Sequence, residues 1–323
     1  MADVPQDEPR RPRWWTEAHR LCFDRAVPGC EQRDGRWVLQ WRGVALMGVL
    51  NVTPDSFSDG GRLNGPDEAI AAGWELWRQG ATFVDVGGES SRPGAEGVAE
   101  REELARVLPV VAGLAARGVR VSIDTVKPAV AEAAVDAGAC LVNDIRGLRD
   151  ESMRSVCAQA GVPAVIMHMR GTPRNMQRAP HYRDVVAEIE AFLAERARRA
   201  LQDGVPSVVV DPGIGFGKRL AHNLALLGAT TRLSSHGAPL LIGASRKSMI
   251  GRLAGRAGPL ERLPGTLALN LYAAERGAAL LRVHDVAEHA QALAVLGAVS
   301  AAEPDRAAGE LDRVAGERAG SHG

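Results

Sequence analysis

Residues 120–145 read RVSIDTVKPAVAEAAVDAGACLVNDI, and this stretch contains a complete strand–helix–strand unit. Arg120–Thr125 and Leu141–Ile145 are short apolar, β-branched runs, the form taken by strands buried on both faces of a parallel sheet. Between them, Pro128–Ala137 is rich in alanine and valine, with Pro128 in the first turn, where a missing N–H costs nothing. Gly138 follows, where a left-handed residue closes a helix. Each strand carries polar residues at its C-terminal end: Asp124 on the first, Asn143 and Asp144 on the second.

The same unit recurs along the chain. Further strand candidates are Ala45–Thr53, Thr82–Gly88, Ala164–Met169, Ser207–Pro212, Leu240–Ser245 and Leu280–His284, with helical patterns at Pro66–Gln79, Glu100–Arg117 and Asp184–Asp203. Gly80, Gly118, Gly161, Gly204 and Gly277 stand where further helices end. Eight strand–helix repeats predict an α/β fold, a (β/α)₈ TIM barrel with an N-terminal extension. Residues 1–43 form that extension, disordered before about Trp14. Within it WVLQW (37–41) alternates like a hairpin able to plug the barrel bottom. Residues 44–302 form the barrel and 303–323 a polar tail.

Composition narrows the partners. A net charge of +0 argues against nucleic acid or an anionic membrane, and no apolar run is long enough to span one. Cys22, Cys30, Cys140 and Cys157 show no metal-ligand spacing and read as reduced, and the N-terminus lacks an apolar leader, so a cytoplasmic location is expected. Of 39 basic residues other than histidine, only Lys127, Lys218 and Lys247 are lysine. Where arginine is the default cation, a surviving lysine hints that a compact ammonium is wanted. Lys247 fits that idea, whereas Lys127, at a helix start, reads as a solvated surface cation that arginine could replace.

Function is read from where the polar residues fall. Every strand candidate ends in them: Asn51 and Asp55, Asp85 and Glu89, Asp124, Asn143 and Asp144, His168, Asp211, Ser245–Lys247, and Arg282 with His284. Any one could cap a turn, but in a barrel these ends converge on the face that carries active sites. The clusters after strands seven and eight suit an anion, unless Arg246 and Arg282 pair with structural carboxylates instead. Gly213-Ile-Gly-Phe-Gly-Lys218 resembles a phosphate loop, but Pro212 and Arg219 stand where that motif requires glycine and Ser/Thr. His168 lacks partners at metal spacing and reads as a packed histidine.

LMGVLNVTPDSFSDGG (46–61) and DVGGESSRPG (85–94) resemble the two signature segments of dihydropteroate synthases. The resemblance continues through SIDT (122–125), NDI (143–145), MHM (167–169), DPGIGFGK (211–218), SRKSMIG (245–251) and RVHD (282–285). It implies condensation of 6-hydroxymethyl-7,8-dihydropterin diphosphate with p-aminobenzoate, to give 7,8-dihydropteroate and diphosphate. It places the pterin against Asp211, Asp124, Asn143, Lys247 and Phe216, and the diphosphate against Arg282 and His284 with Mg²⁺ on Asn51. It frames the p-aminobenzoate pocket with Phe57, Asp59, Ser91, Arg92 and Pro93 on two closing loops, 53–61 and 89–97, and it suggests a homodimer. Of these, Asp59, Arg92, Lys247, Arg282 and His284 are the catalytic candidates. Alternatives on the same barrel are a methyltetrahydrofolate–corrinoid methyltransferase, which has no use for a diphosphate site, a non-catalytic pterin-binding paralogue, and a generic phosphate-binding barrel.

Overall fold

The structure is a computed structural model that describes residues 17–53, 65–92, 94–255 and 258–302. Strands β1 (Ala18–Phe23), β2 (Glu31–Arg33) and β3 (Arg36–Arg42) form a small antiparallel sheet in the order β1-β3-β2. The predicted hairpin around residues 37–41 is therefore the middle of a three-stranded sheet. A second sheet contains β4 (Ala45–Asn51), β5 (Phe83–Gly87), β6 (Val121–Asp124), β7 (Leu141–Asp144), β8 (Ala164–Met167), β9 (Val208–Asp211), β10 (Leu241–Ile242) and β11 (Leu280–Val283). Its order is β10-β11-β4-β5-β6-β7-β8-β9, with parallel pairing throughout. A parallel bridge from Val210 to Leu240 joins β9 to the approach of β10 and closes the ring.

Helices alternate with these strands: α1 (Pro66–Arg78), α2 (Glu100–Ala115), α3 (Pro128–Asp136), α4 (Glu151–Ala160), α5 (Val185–Gln202), α6 (Leu220–Gly228), α7 (Thr230–Ser234), α8 (Ser248–Ala254), α9 (Leu263–Ala274) and α10 (Val286–Ala302). Asp150 caps α4 through the Ser152 N–H at 2.9 Å, and Asp184 caps α5 through Val186 and Ala187 at 3.0 Å. No helix among the described residues is long and apolar enough to cross a membrane.

Every predicted strand overruns its observed end on the C-terminal side. The ladder stops there because the backbone turns outward to carry polar side chains. β10 is cut to two residues, Leu241–Ile242.

The core has three parts. Outward-facing strand residues pack on the helices, as with Val84, Val86, Ile123 and Val142 against α2–α4. Inside the ring, Met47, Phe83, Leu141, Val165, Val209, Leu241 and Leu280 make a bottom layer with Leu21, Phe23 and Leu39 of the small antiparallel sheet. A small upper cluster, Ile145, Met167, Met169, Met176 and Phe216 with Val126, lies at the C-terminal ends. The antiparallel sheet thus plugs the bottom, and Trp41 Nε1 donates to the Ala279 carbonyl at 3.1 Å to hold it there.

Phe23, at 0% exposure, is the largest fully buried side chain of the plug. Truncation leaves a cavity beneath the strands, so Phe23→Ala is expected to cost about 3–4 kcal/mol in urea-induced unfolding. An unchanged midpoint would show that the plug sheet is not part of the folding unit.

Candidate active site

The polar strand ends meet at the barrel top, and a buried charge network organises them. Arg282 on β11 reaches across the interior. Its Nε donates to Asp85 Oδ2 at 2.6 Å and its Nη2 to Asp124 Oδ2 at 2.7 Å. Asp85, at 0% exposure, also accepts from Asn143 Nδ2 at 3.0 Å. Burial alone would lower the Arg282 pKa, but the Asp85 and Asp124 carboxylates hold it above the usual range. Burial pushes Asp124 up to about 7 against the opposing pull of Arg282. With its amide N–H occupied, Asn143 has its carbonyl oxygen left to accept from a ligand.

Facing this network are Asp211 and Lys247. Asp211 ends β9 and its Oδ1 accepts from the Gly213 N–H at 2.7 Å. Burial raises its pKa to about 6. Gly213 has φ +69°, and an added Cβ would overlap the His168 carbonyl oxygen, so this turn requires glycine. Lys247 caps the start of α8 and sets its ammonium 4.0 Å from the Phe216 ring centroid. Burial, then the Arg282 charge, lower its pKa to about 8. Beside these groups Met167, Met169 and Phe216 form one apolar cluster.

His284 follows β11, and Ser245 Oγ lies 3.0 Å from its Nδ1. Burial, then Arg246 and Arg282, lower its pKa to about 3, which leaves it neutral at pH 7. Arg246 does not face an anion site. It adopts φ +56° and pairs bidentately with Asp285 through Nε and Nη2. Arg282 is tied to carboxylates through Nε and Nη2, so the pairing weighed from the sequence is realised at both arginines, while Nη1 of Arg282 takes part in neither of these bonds. Asn51 ends β4 and pairs in register with Gly87, itself opposite Asp124, which sets Asn51 on the same rim. Ser91 and Arg92 lie on the loop after β5. Phe57, Asp59 and Pro93, with most of the 53–61 loop, lie outside the described residues.

Two lysines correct or extend the sequence reading. Lys127 is not a solvated cation: its ammonium pairs with Glu89 and with Glu103, which is 1% exposed. Lys218 is buried below Phe216. Its Nζ lies 3.1 Å from His168 Nδ1 and donates to the His168 and Phe216 carbonyls at 3.2 and 2.9 Å. Burial drives its pKa down to about 7. His168 is packed as expected, edge-on to Phe192 at 4.9 Å. Sequence reasoning missed Lys218 and the anchoring role of Asp85, although lysine scarcity pointed to the first. Among the described residues no group of three or more His, Cys, Asp or Glu side chains could hold a metal.

The arrangement brings a carboxylate, an ammonium and an apolar Met/Phe cluster together beside a rim of arginines paired to aspartates. The sequence profile of the family described as pterin binding enzyme matches residues 47–284. The dihydropteroate synthase of Escherichia coli K12 is 46% identical over 264 residues, 81% of this chain and 93% of that protein. Among solved structures, Xanthomonas albilineans dihydropteroate synthase with 4-aminobenzoic acid is 47% identical with a TM-score of 0.77, covering 83% of this chain and 96% of that one. The same enzyme in complex with 7,8-dihydropteroate gives 43% identity and a TM-score of 0.75, covering 88% and 100%. Matched at this identity across nearly the whole of its relatives, the chain belongs to the pterin-binding enzymes and, within them, to the dihydropteroate synthases.

Proposed function

We propose that the barrel top joins 6-hydroxymethyl-7,8-dihydropterin diphosphate to p-aminobenzoate, releasing diphosphate and forming 7,8-dihydropteroate. The observation that carries this reading is the buried Asp211 carboxylate facing the buried Lys247 ammonium beside a Met/Phe wall. A pterin offers an amino group and a ring N–H side by side, which one carboxylate accepts together, and its opposite edge accepts from an ammonium. Asn143 and Asp124 complete the donor-accepting edge, and Met167, Met169 and Phe216 cover the ring faces. The Xanthomonas albilineans complexes with 4-aminobenzoic acid and 7,8-dihydropteroate support this substrate class.

In the reaction the bond from the pterin methylene carbon to the diphosphate oxygen breaks, and the aniline nitrogen bonds to that carbon. Arg282 and His284 hold the leaving group, while Ser91, Arg92, Pro93, Phe57 and Asp59 frame the amine and exclude water. Asn51 supplies one neutral oxygen on the rim. Such a donor fits Mg²⁺, which keeps waters and takes substrate phosphate oxygens as ligands. When bound, the ion offsets the charge that develops on the departing diphosphate. A homodimer is proposed on the exposed apolar residues Leu253, Leu260, Val295 and Val299 of α8, α10 and the segment before α9.

Purified protein with both substrates and Mg²⁺ is expected to release diphosphate, measured by a coupled assay; no release would end this reading. Asn51→Ala is expected to lose most turnover while pterin affinity by calorimetry stays near the parent's.

Lys247→Arg is expected to cost about 2–3 kcal/mol in kcat/KM. The lysine stem passes close to Gly215, where a Cβ would stand 3.1 Å from Lys247 Cδ, and a planar guanidinium has no room to turn. Activity within a few-fold of the parent would rule out this contact.

Asp211 must be ionised to accept two hydrogen bonds, and burial sets its pKa at about 6. Pterin affinity is therefore expected to be highest near pH 7, to weaken about tenfold per pH unit below pH 6, and to weaken again above pH 8 as Lys247 loses its proton. Asp211→Asn should bind weakly with no such acid slope, as read by calorimetry across pH.

A further inference from the structure

The loop after β5 is closed at its two ends by one side chain. Glu89 Oε2 accepts from the Val98 N–H at 3.1 Å and from the Lys127 ammonium. The same ammonium meets Glu103 on α2, whose second oxygen, Oε1, is buried with no hydrogen-bond partner among the described residues. Gly88, just before Glu89, packs so tightly on α2 that an added Cβ would lie 2.7 Å from Val107 and 2.9 Å from Glu103. Its carbonyl accepts from Arg106 Nη1 at 2.8 Å. On the other side, the Lys127 N–H donates to Thr125 Oγ1 at 3.2 Å, which fixes the base of the lysine one turn beyond Asp124. Glu89, Glu103, Ser91 and Asp124 border one small cavity of about 20 Å³, so the triad adjoins the pterin-side network.

We propose that Lys127 is a positioning residue that pins the loop after β5 and thereby holds Ser91 and Arg92 over the barrel mouth for p-aminobenzoate. The assignment of that amine to this loop rests on the function proposed above. Two carboxylates converge on a single ammonium, and one of them is fully buried. Without the ammonium, Glu89 and Glu103 repel each other, and only Glu89 can move, because Glu103 is fixed on a helix. The loop end is then released, while Asp211 and Lys247, on the far side of the barrel, keep their geometry. The tip of the loop is tied separately, by the Gly94 N–H donating to the Pro173 carbonyl at 3.0 Å.

The test pairs Lys127→Met with Lys127→Arg, which keeps the charge. In the ligand-free protein, amides of Ser90–Arg92 and Gly94–Val98 are expected to exchange about tenfold faster in Lys127→Met and near the parent rate in Lys127→Arg. In steady state, KM for p-aminobenzoate should rise about tenfold in Lys127→Met, with kcat and pterin diphosphate affinity within about twofold. Glu89→Gln, which leaves Glu103 neutralised, serves if Lys127→Met fails to fold, and should show the same split to a smaller extent. Unchanged exchange, or pterin affinity lost in step with that for p-aminobenzoate, overturns the pin. Exchange needs no substrate, so a parent without turnover would sink the function reading and leave the exchange result to decide the pin.

Discussion

Arg282 carries one positive charge into the middle of a closed ring of strands, and two carboxylates on other strands must meet it there. Removing Arg282 would leave the two carboxylates facing each other with no countercharge in a largely buried place, which costs several kcal/mol. The contact therefore does more than stabilise. It sets the azimuth of β5, β6 and β11 relative to one another at the level where substrates are proposed to bind, and through Asp85 it also orients the Asn143 amide. A rim of arginine paired to aspartate is a fixed electrostatic surface, with little reorganisation left to do when a charged ligand arrives.

Opposite this pair, Asp211 and Lys247 are poised rather than neutralised. Both have pKa values moved toward neutrality by burial, the signature of groups whose natural partner is a ligand. The two histidines of the crown, His168 and His284, are pushed the other way, down to about 3, and serve as neutral hydrogen-bonding groups at physiological pH. The barrel top is thus divided between a side whose charges are paired with one another and a side whose charges, among the described residues, form no ion pair.

Much of this was legible in the chain itself. Strand–helix alternation is a local property, so RVSIDT…CLVNDI announced a parallel unit without any tertiary knowledge, and the polar strand ends followed from where each run stopped. Pairing is not local. Asp85 looked like one polar strand residue among many, because its partners are 58 and 197 residues away along the chain. Lys127 was misread for the same reason: its helix-start position suggests solvent, and only the folded chain brings Glu89 and Glu103 to it. The strand ends were overrun because the residues that leave the ladder keep β-like composition.

The plug at the barrel bottom has a consequence for how the chain is assembled. The sheet of residues 18–42 is synthesised ahead of every barrel strand, yet its Trp41 anchor is the Ala279 carbonyl, 238 residues later. Its apolar face, Leu21, Phe23 and Leu39, also needs Leu241 and Leu280. The earliest-made element is therefore the one that waits longest for its partners. Until the last strand is synthesised, a sticky three-stranded sheet is exposed on an unfinished protein, and its bond to Ala279 can form only when nearly the whole chain has been made.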